Sequence, residues 1–268
     1  MWPLCVISDK LAKMIGDGEE KLECDSEHLP LSRQSYHVDV PHVRQMFNWD
    51  CGLACVLMVL RTVGIESHDI ADLEKLCSTT SIWTVDLAYL LHKFSVNFSF
   101  LTVTVGVNPS YSAQSFYQEQ LEDDTGRVVD LFARAINDGI CIQCRSISVR
   151  EISLLLLSGN CIAVALVDKT KLVSSWMVDR TVNYLNGTPE YMGHYIIICG
   201  FDAGTNEFEI RDPACSRKYE RVTMECLDEA RTSFGTDEDI ILVKHTFQNY
   251  LPFTICTVSE TYIQIMSL

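Results

Sequence analysis

The chain has 268 residues, 47% of them apolar and 21% charged, enough for one large globular domain with a sizeable core. Its formal net charge of −15 excludes a sequence-independent grip on nucleic acid, which needs a basic surface, and docking on anionic lipid. No apolar run reaches the ~18–20 residues of a membrane helix, so no membrane insertion is expected.

The twelve cysteines do not fall at disulfide-framework spacings. Several, such as Cys161 in CIAVAL and Cys199 in YIIICG, sit inside apolar runs and read as small core residues. The first twenty residues hold no secretory signal, because Asp9 and Lys10 interrupt a short apolar stretch. Free thiols in a reducing compartment, cytoplasm or nucleus, are the expectation.

In chain order, residues 1–35 are polar and read as a weakly structured leader ahead of a single domain at 36–245. HVDVPHV at 37–43 alternates like an edge strand ending at Pro41. From Cys51 to Val63 apolar residues fall all round a helix, which predicts burial. Asp50 stands at its N-cap-like position and Gly64 at its C-cap. Further helices are predicted over 69–77, 84–94, 115–138 and 150–158, with strands at 139–144 and 161–168. Residues 169–193 are polar and lack a period, as in a long loop or insertion. HYIIICGFDAGTNEFEIRDP is a hairpin, the stretch 220–235 holds a helix, DIILVKH is a last strand, and 246–268 is a tail. Helices first and hairpin-linked strands later define an α+β fold with a mainly antiparallel sheet.

A nucleophilic thiol needs a stabilised thiolate, a base and a group that orients the base. Cys51 opens a helix, where unpaired N–H groups and the helix dipole favour an anion. Gly52 is expected to leave room for a substrate beside the sulfur, and Cys55, one turn on, to pack. With the hairpin turn at Ala203-Gly204, His194 lies opposite Asp212, Ile196 opposite Ile210 and Ile198 opposite Phe208, all on one face. A carboxylate at Asp212 would then fix the His194 tautomer. Read singly, a buried helix-start cysteine is a packing residue and a His–Asp pair on a hairpin is a surface pair.

Other candidates carry blander readings. The Cys141–Cys144 CxxC lacks the second pair a zinc site needs. His37 and His42 flank a strand and face solvent. Asn186-Gly187-Thr188 matches a glycosylation acceptor but also marks a turn. The acidic residues form no recognisable two-carboxylate metal pair, so metal ligands stay unassigned.

Two resemblances add to this reading. Gln45, then Asp50-Cys51-Gly52-x-Ala54-Cys55, His194-Tyr195 and Asp212-Pro213 resemble the C39 family of papain-like cysteine peptidases. That resemblance implies a papain-like fold, with Cys51 as nucleophile, His194 as base, Asp212 orienting it and Gln45 donating to the oxyanion. It also implies a peptide or isopeptide-type substrate and no cofactor.

Over nearly its full length the chain resembles the plant guanylyl cyclase family, through WDCGLACVLMVLRT, SIWTVDLAYLLHKF, SFYQEQL, GHYIIICGFD, FEIRDPA and SFGTDEDI. This implies formation of cyclic GMP from GTP with a Mg or Mn ion. A short motif in that family corresponds to Trp83-Thr84-Val85 with Lys93 downstream, which implies a nucleotide site with Thr84 at the guanine and Lys93 at the phosphates. Read alone, 83–93 is an amphipathic helix with a solvated lysine, and there is no Gly-rich phosphate loop. A guanylyl cyclase, a thiol hydrolase and a catalytically altered adaptor on the same fold all stay open at this stage.

Overall fold

The structure, a computed structural model, describes residues 33–113, 116, 121–172 and 190–244. The leader up to residue 32, most of the 169–193 stretch with its Asn186, and the tail from 245 lie outside the described residues. The described residues all belong to one unit, Arg33–Leu268.

That unit is α+β. Its strands are β1 (Ser35–His37), β2 (Phe98–Thr102), β3 (Ile142–Cys144), β4 (Cys161–Asp168), β5 (Gly193–Asp202), β6 (Glu207–Arg211), β7 (Glu220–Thr223) and β8 (Ile240–Lys244). Its helices are α1 (Cys51–Thr62), α2 (Ile70–Cys77), α3 (Thr84–Lys93), α4 (Leu121–Ala135), α5 (Val149–Leu157) and α6 (Met224–Arg231). The eight strands form one sheet in the order β3-β2-β8-β4-β5-β6-β7, with β1 paired to the far end of β5. Every pairing is antiparallel except β2 with β3.

Helices cover both faces of the sheet. On one face Leu53, Leu57 and Leu60 of α1, Leu87 and Leu91 of α3, and Val128 of α4 pack on Ile162, Val164 and Ile197. On the other, Ile152 and Leu156 of α5 and Leu227 and Ala230 of α6 pack on Ala163, Ile196 and Ile198. The period-2 alternation of β4 and β5 divides their side chains between these two cores. Because both strands are buried on both faces, they read in sequence as unbroken apolar runs.

Local chemistry explains most element ends. Gly64 follows α1 with φ +87°, as a C-terminal glycine should. Asp69 caps α2 and exchanges a capping box with Asp72. Ser148 and Glu151 do the same for α5.

Three elements differ from expectation. β2 was not foreseen, yet it lies inside the sheet between β3 and β8. β1 ends at His37 and not at Pro41: Val38 still donates to the Cys199 carbonyl at 2.8 Å, but Pro41 has no N–H and the Val40 carbonyl is taken by Arg211 Nε at 3.0 Å. In 220–235 a strand, β7, precedes the helix.

Candidate active site

One end of the sheet gathers the end of β4, the start of β5, the end of β6 and the first turn of α1. Cys51 opens α1 and is 5% exposed. Asp50 precedes it and is fully buried, but its carboxylate does not cap the helix. It turns back to accept the backbone N–H groups of Met46 and Phe47, each at 3.0 Å, while its own carbonyl starts the helix by accepting from Ala54. Asp50 therefore fixes the 46–50 loop that delivers Cys51. Asp50→Ala would strand two N–H groups beside a buried void and should cost about 3 kcal/mol, read as a lower urea midpoint with an unchanged slope.

His194 and Asp212 meet as the hairpin reasoning requires, though by another register. Ile198 pairs with Ile210, a bulge at Cys199 follows, and Phe201 pairs with Phe208. The turn centres between Gly204 and Thr205, later than expected, so Asp212 sits past the last ladder pair and reaches His194 diagonally. His194 Nε2 still lies 2.7 Å from Asp212 Oδ1, and His194 is 3% exposed. The same Oδ1 accepts the Ala214 N–H at 2.8 Å, which holds the carboxylate in a turn closed by Pro213 and Ala214.

The 38–50 segment grips this strand end from the other side. His42 donates through Nε2 to the Asp212 carbonyl at 2.9 Å, which corrects its expected solvent position. The Gln45 N–H donates to the Pro213 carbonyl at 2.9 Å. Arg211, fully buried, donates to Val40 and Glu209 and stacks on Tyr219. The Gln45 backbone thus borders the site, while its side-chain amide donates to the Phe47 carbonyl.

The charges are coupled. Burial alone would lower the His194 pKa, but hydrogen bonds to Asp212 and Cys51 and the charges of both outweigh it and raise it to about 9. For Asp212, burial pushes upward, and it is overridden by His194, the Ala214 N–H and the Lys169 charge, so its carboxyl stays below the ordinary range. With Nε2 committed to Asp212, Nδ1 is the ring nitrogen left to exchange a proton with the thiol. Cys55, fully buried one turn on, is pushed well up by burial first and by the Cys51 and Asp212 charges next. It is a packing thiol, as its place in the helix predicts. All nine cysteines among the described residues are free.

The pair makes stability depend on pH. A histidine raised from ~6.5 contributes fully below pH ~6.5, and its contribution is lost as pH rises through about 9. The lowered Asp212 contributes above ~3.8 and is lost as pH falls. The urea midpoint should therefore drop between pH 6.5 and 9, by on the order of 3 kcal/mol of stability. Chemical denaturation of the wild type beside His194→Gln checks this, and the variant should lose most of the drop.

Gly52 does not leave space for a substrate. A Cβ there would stand 3.0 Å from Tyr195 Cδ2 and 3.1 Å from the Leu87 methyls. The glycine is needed for close packing.

The residues proposed for a nucleotide lie elsewhere and are not gathered. Trp83 donates its indole N–H to Asp124 Oδ2 at 3.0 Å, in a network of Ser81, Asp86, Asp124 and Arg127 that ties the start of α3 to α4. Thr84 is 2% exposed, with Oγ1 2.9 Å from the Tyr195 hydroxyl. Lys93 is exposed at the other end of α3, about 13 Å away along the axis. It borders an open groove of about 510 Å³ with Leu76, Cys77, Tyr89 and Leu131. Among the described residues, no three His, Cys, Asp or Glu side chains gather where they could share a metal, and no helix is long and apolar enough to cross a membrane.

Fold and geometry together define an α+β domain with Cys51, His194 and Asp212 gathered at one end of its sheet. The family model described as "Guanylylate cyclase" matches residues 40–243, and the chain belongs to that guanylyl cyclase family. It is 52% identical over 266 residues to Guanylyl cyclase 1 of Arabidopsis thaliana, covering 91% of this chain and 96% of that one. Among solved structures it is similar to a C39-like peptidase from Bacillus anthracis (TM-score 0.48, 15% identity, 79% of this chain and 98% of that one). It is also similar to xylellain, a cysteine protease from Xylella fastidiosa (TM-score 0.41, 13% identity, 81% and 87%).

Proposed function

We propose that this chain forms cyclic GMP and pyrophosphate from GTP. The observation that carries the reading is the 52% identity to Guanylyl cyclase 1 across 91% of the chain. In that reaction the ribose 3′-oxygen attacks the α-phosphorus, the bond to the β-phosphate oxygen breaks, and pyrophosphate departs with the electron pair. The 3′-hydroxyl proton passes to a base. No group of three ligands is available among the described residues, so the divalent ion is taken to arrive with the nucleotide, as Mg- or Mn-GTP. The test is direct: full-length protein incubated with Mg-GTP or Mn-GTP, with products identified by mass. Cyclic GMP and pyrophosphate in equal amounts support the reading, and unchanged GTP overturns it.

A specific observation favours a second reading, a thiol hydrolase. His194 bonded to Asp212 at 2.7 Å, with Cys51 near enough to raise the pKa of its imidazole, is an arrangement suited to acyl transfer. Cys51 Sγ would attack a peptide or isopeptide carbonyl, and His194 Nδ1 would give its proton to the departing amine as the C–N bond breaks. Water, deprotonated by His194, would then cleave the thioester and restore the thiol. Backbone N–H groups at the start of α1 and the Gln45 amide are the donors available to the oxyanion, the latter once it leaves the Phe47 carbonyl. Hydrolysis of a peptide library by the wild type but not by Cys51→Ala would establish this reading.

A further inference from the structure

Thr84 begins α3 but takes part in the far side of the thiol site. Its Oγ1 lies 2.9 Å from the Tyr195 hydroxyl, and both residues are buried. Tyr195 follows His194 on β5, and its ring edge presses on Gly52, which follows Cys51 on α1. Leu87, three residues beyond Thr84, closes the other side of Gly52. Asp239, buried at the entry to β8, stands near Thr84 and Thr102, and burial pushes its carboxyl well up. One aromatic ring thus stands between the backbone beside the nucleophile and the backbone beside the base. Its outer end is pinned by a hydroxyl that is itself held by the core.

We propose that Thr84 is a positioning residue of the thiol site: through the Tyr195 hydroxyl it fixes the ring that sets the separation of Cys51 from His194. The inference rests on the thiol-site reading above and concerns reactivity at Cys51, whichever substrate the site takes. The physical reason is packing. The space a Cβ would take at Gly52 is closed by the Tyr195 ring and the Leu87 methyls, so the ring packs directly on the α1 backbone. A pivot of the ring lets α1 shift against β5, and displacements of ~1 Å at reacting groups cost up to about 100-fold in rate. The same bond accounts for a buried threonine at this place in the chain. Its hydroxyl faces a tyrosine in the core, so a base in solvent cannot reach it without unfolding the start of α3.

The test uses the full chain and follows the rate of Cys51 alkylation by iodoacetamide at pH 6, read by peptide mass. Labelling of buried Cys55 in the same sample reports general loosening. Thr84→Val keeps the shape and removes the hydroxyl, and should slow Cys51 labelling about tenfold without raising labelling of Cys55. Tyr195→Phe should reproduce that loss from the other side of the bond. Thr84→Ser, which keeps the hydroxyl, should return the rate to within about twofold of wild type. Wild-type rates in Thr84→Val and Tyr195→Phe overturn the proposal, as does a Thr84→Ser protein as slow as Thr84→Val. Unchanged labelling with weakened GTP binding in Thr84→Val also overturns it and restores the nucleotide role. A wild-type Cys51 no faster than the exposed Cys144 refutes the thiol-site reading itself, and the proposal falls with it.

Discussion

His194→Ala should slow alkylation of Cys51 at pH 6 by about 100-fold while leaving the exposed Cys144 unaffected. At pH 6 an ordinary thiol is only ~0.3% ionised, and a cation held beside a sulfur favours its reactive thiolate form. Part of that gain is offset because a stabilised thiolate is a weaker nucleophile. His194 is positioned to be that cation, since its bond to Asp212 and the nearby Cys51 raise its pKa to about 9. Above pH 10, where the solvent ionises thiols unaided, the variant and the wild type should converge. His194→Asn fills more of the space and should show the same loss, separating the charge effect from that of a cavity. A loss of less than threefold in both variants would remove His194 from the site.

Asp212→Asn should slow Cys51 labelling at pH 7.5 by about 30-fold. Without the carboxylate the imidazole returns toward an ordinary value, ~6.5, and is only about a tenth protonated at pH 7.5. The ring is also no longer fixed by the 2.7 Å bond to Nε2, and rotation away from the sulfur accounts for the remainder. At pH 5.5, where the imidazole is protonated in either protein, the difference should shrink to the orientation part alone. The Ala214 N–H would still find the side-chain oxygen, so the turn at the end of β6 should survive. Equal rates at both pH values would show that Asp212 has no orienting role.

Much of this site could be read from the residues because its parts are set by local rules. An all-round apolar run between Asp50 and Gly64 can only be a buried helix, and its first residue is Cys51. Two apolar runs broken by DAGTN read as a hairpin, and that brings His194 toward Asp212 even though the assumed pairing is short by two residues. The bulge at Cys199 and the four-residue turn 203–206, with Asn206 at φ +57°, lengthen the connection. Neither leaves a mark in the apolar pattern. A diagonal contact survived the error because a histidine and an aspartate can span it.

What escaped depends on distant partners. His42 reaches the site through the carbonyl of Asp212, and Arg211 reaches that of Val40, each more than 160 residues away in sequence. β2 escaped because FSFLT is short and its place between β3 and β8 is decided by those partners. The tight fit of Tyr195 on Gly52 was invisible for the same reason, and the glycine was credited with open space. Thr84 shows the opposite hazard. A motif resemblance places it at a purine, whereas the structure shows it buried with its hydroxyl 2.9 Å from that of Tyr195.

The central claim is that Cys51 is a nucleophile prepared by His194 and Asp212. It is tested most directly by a brief pulse of iodoacetamide on the folded, full-length protein at pH 6, with the extent of labelling read at all twelve cysteines. The account predicts that Cys51, although 5% exposed, is labelled first and at least tenfold ahead of the exposed Cys144. Labelling of Cys51 only together with the buried Cys55 and Cys161 would contradict it.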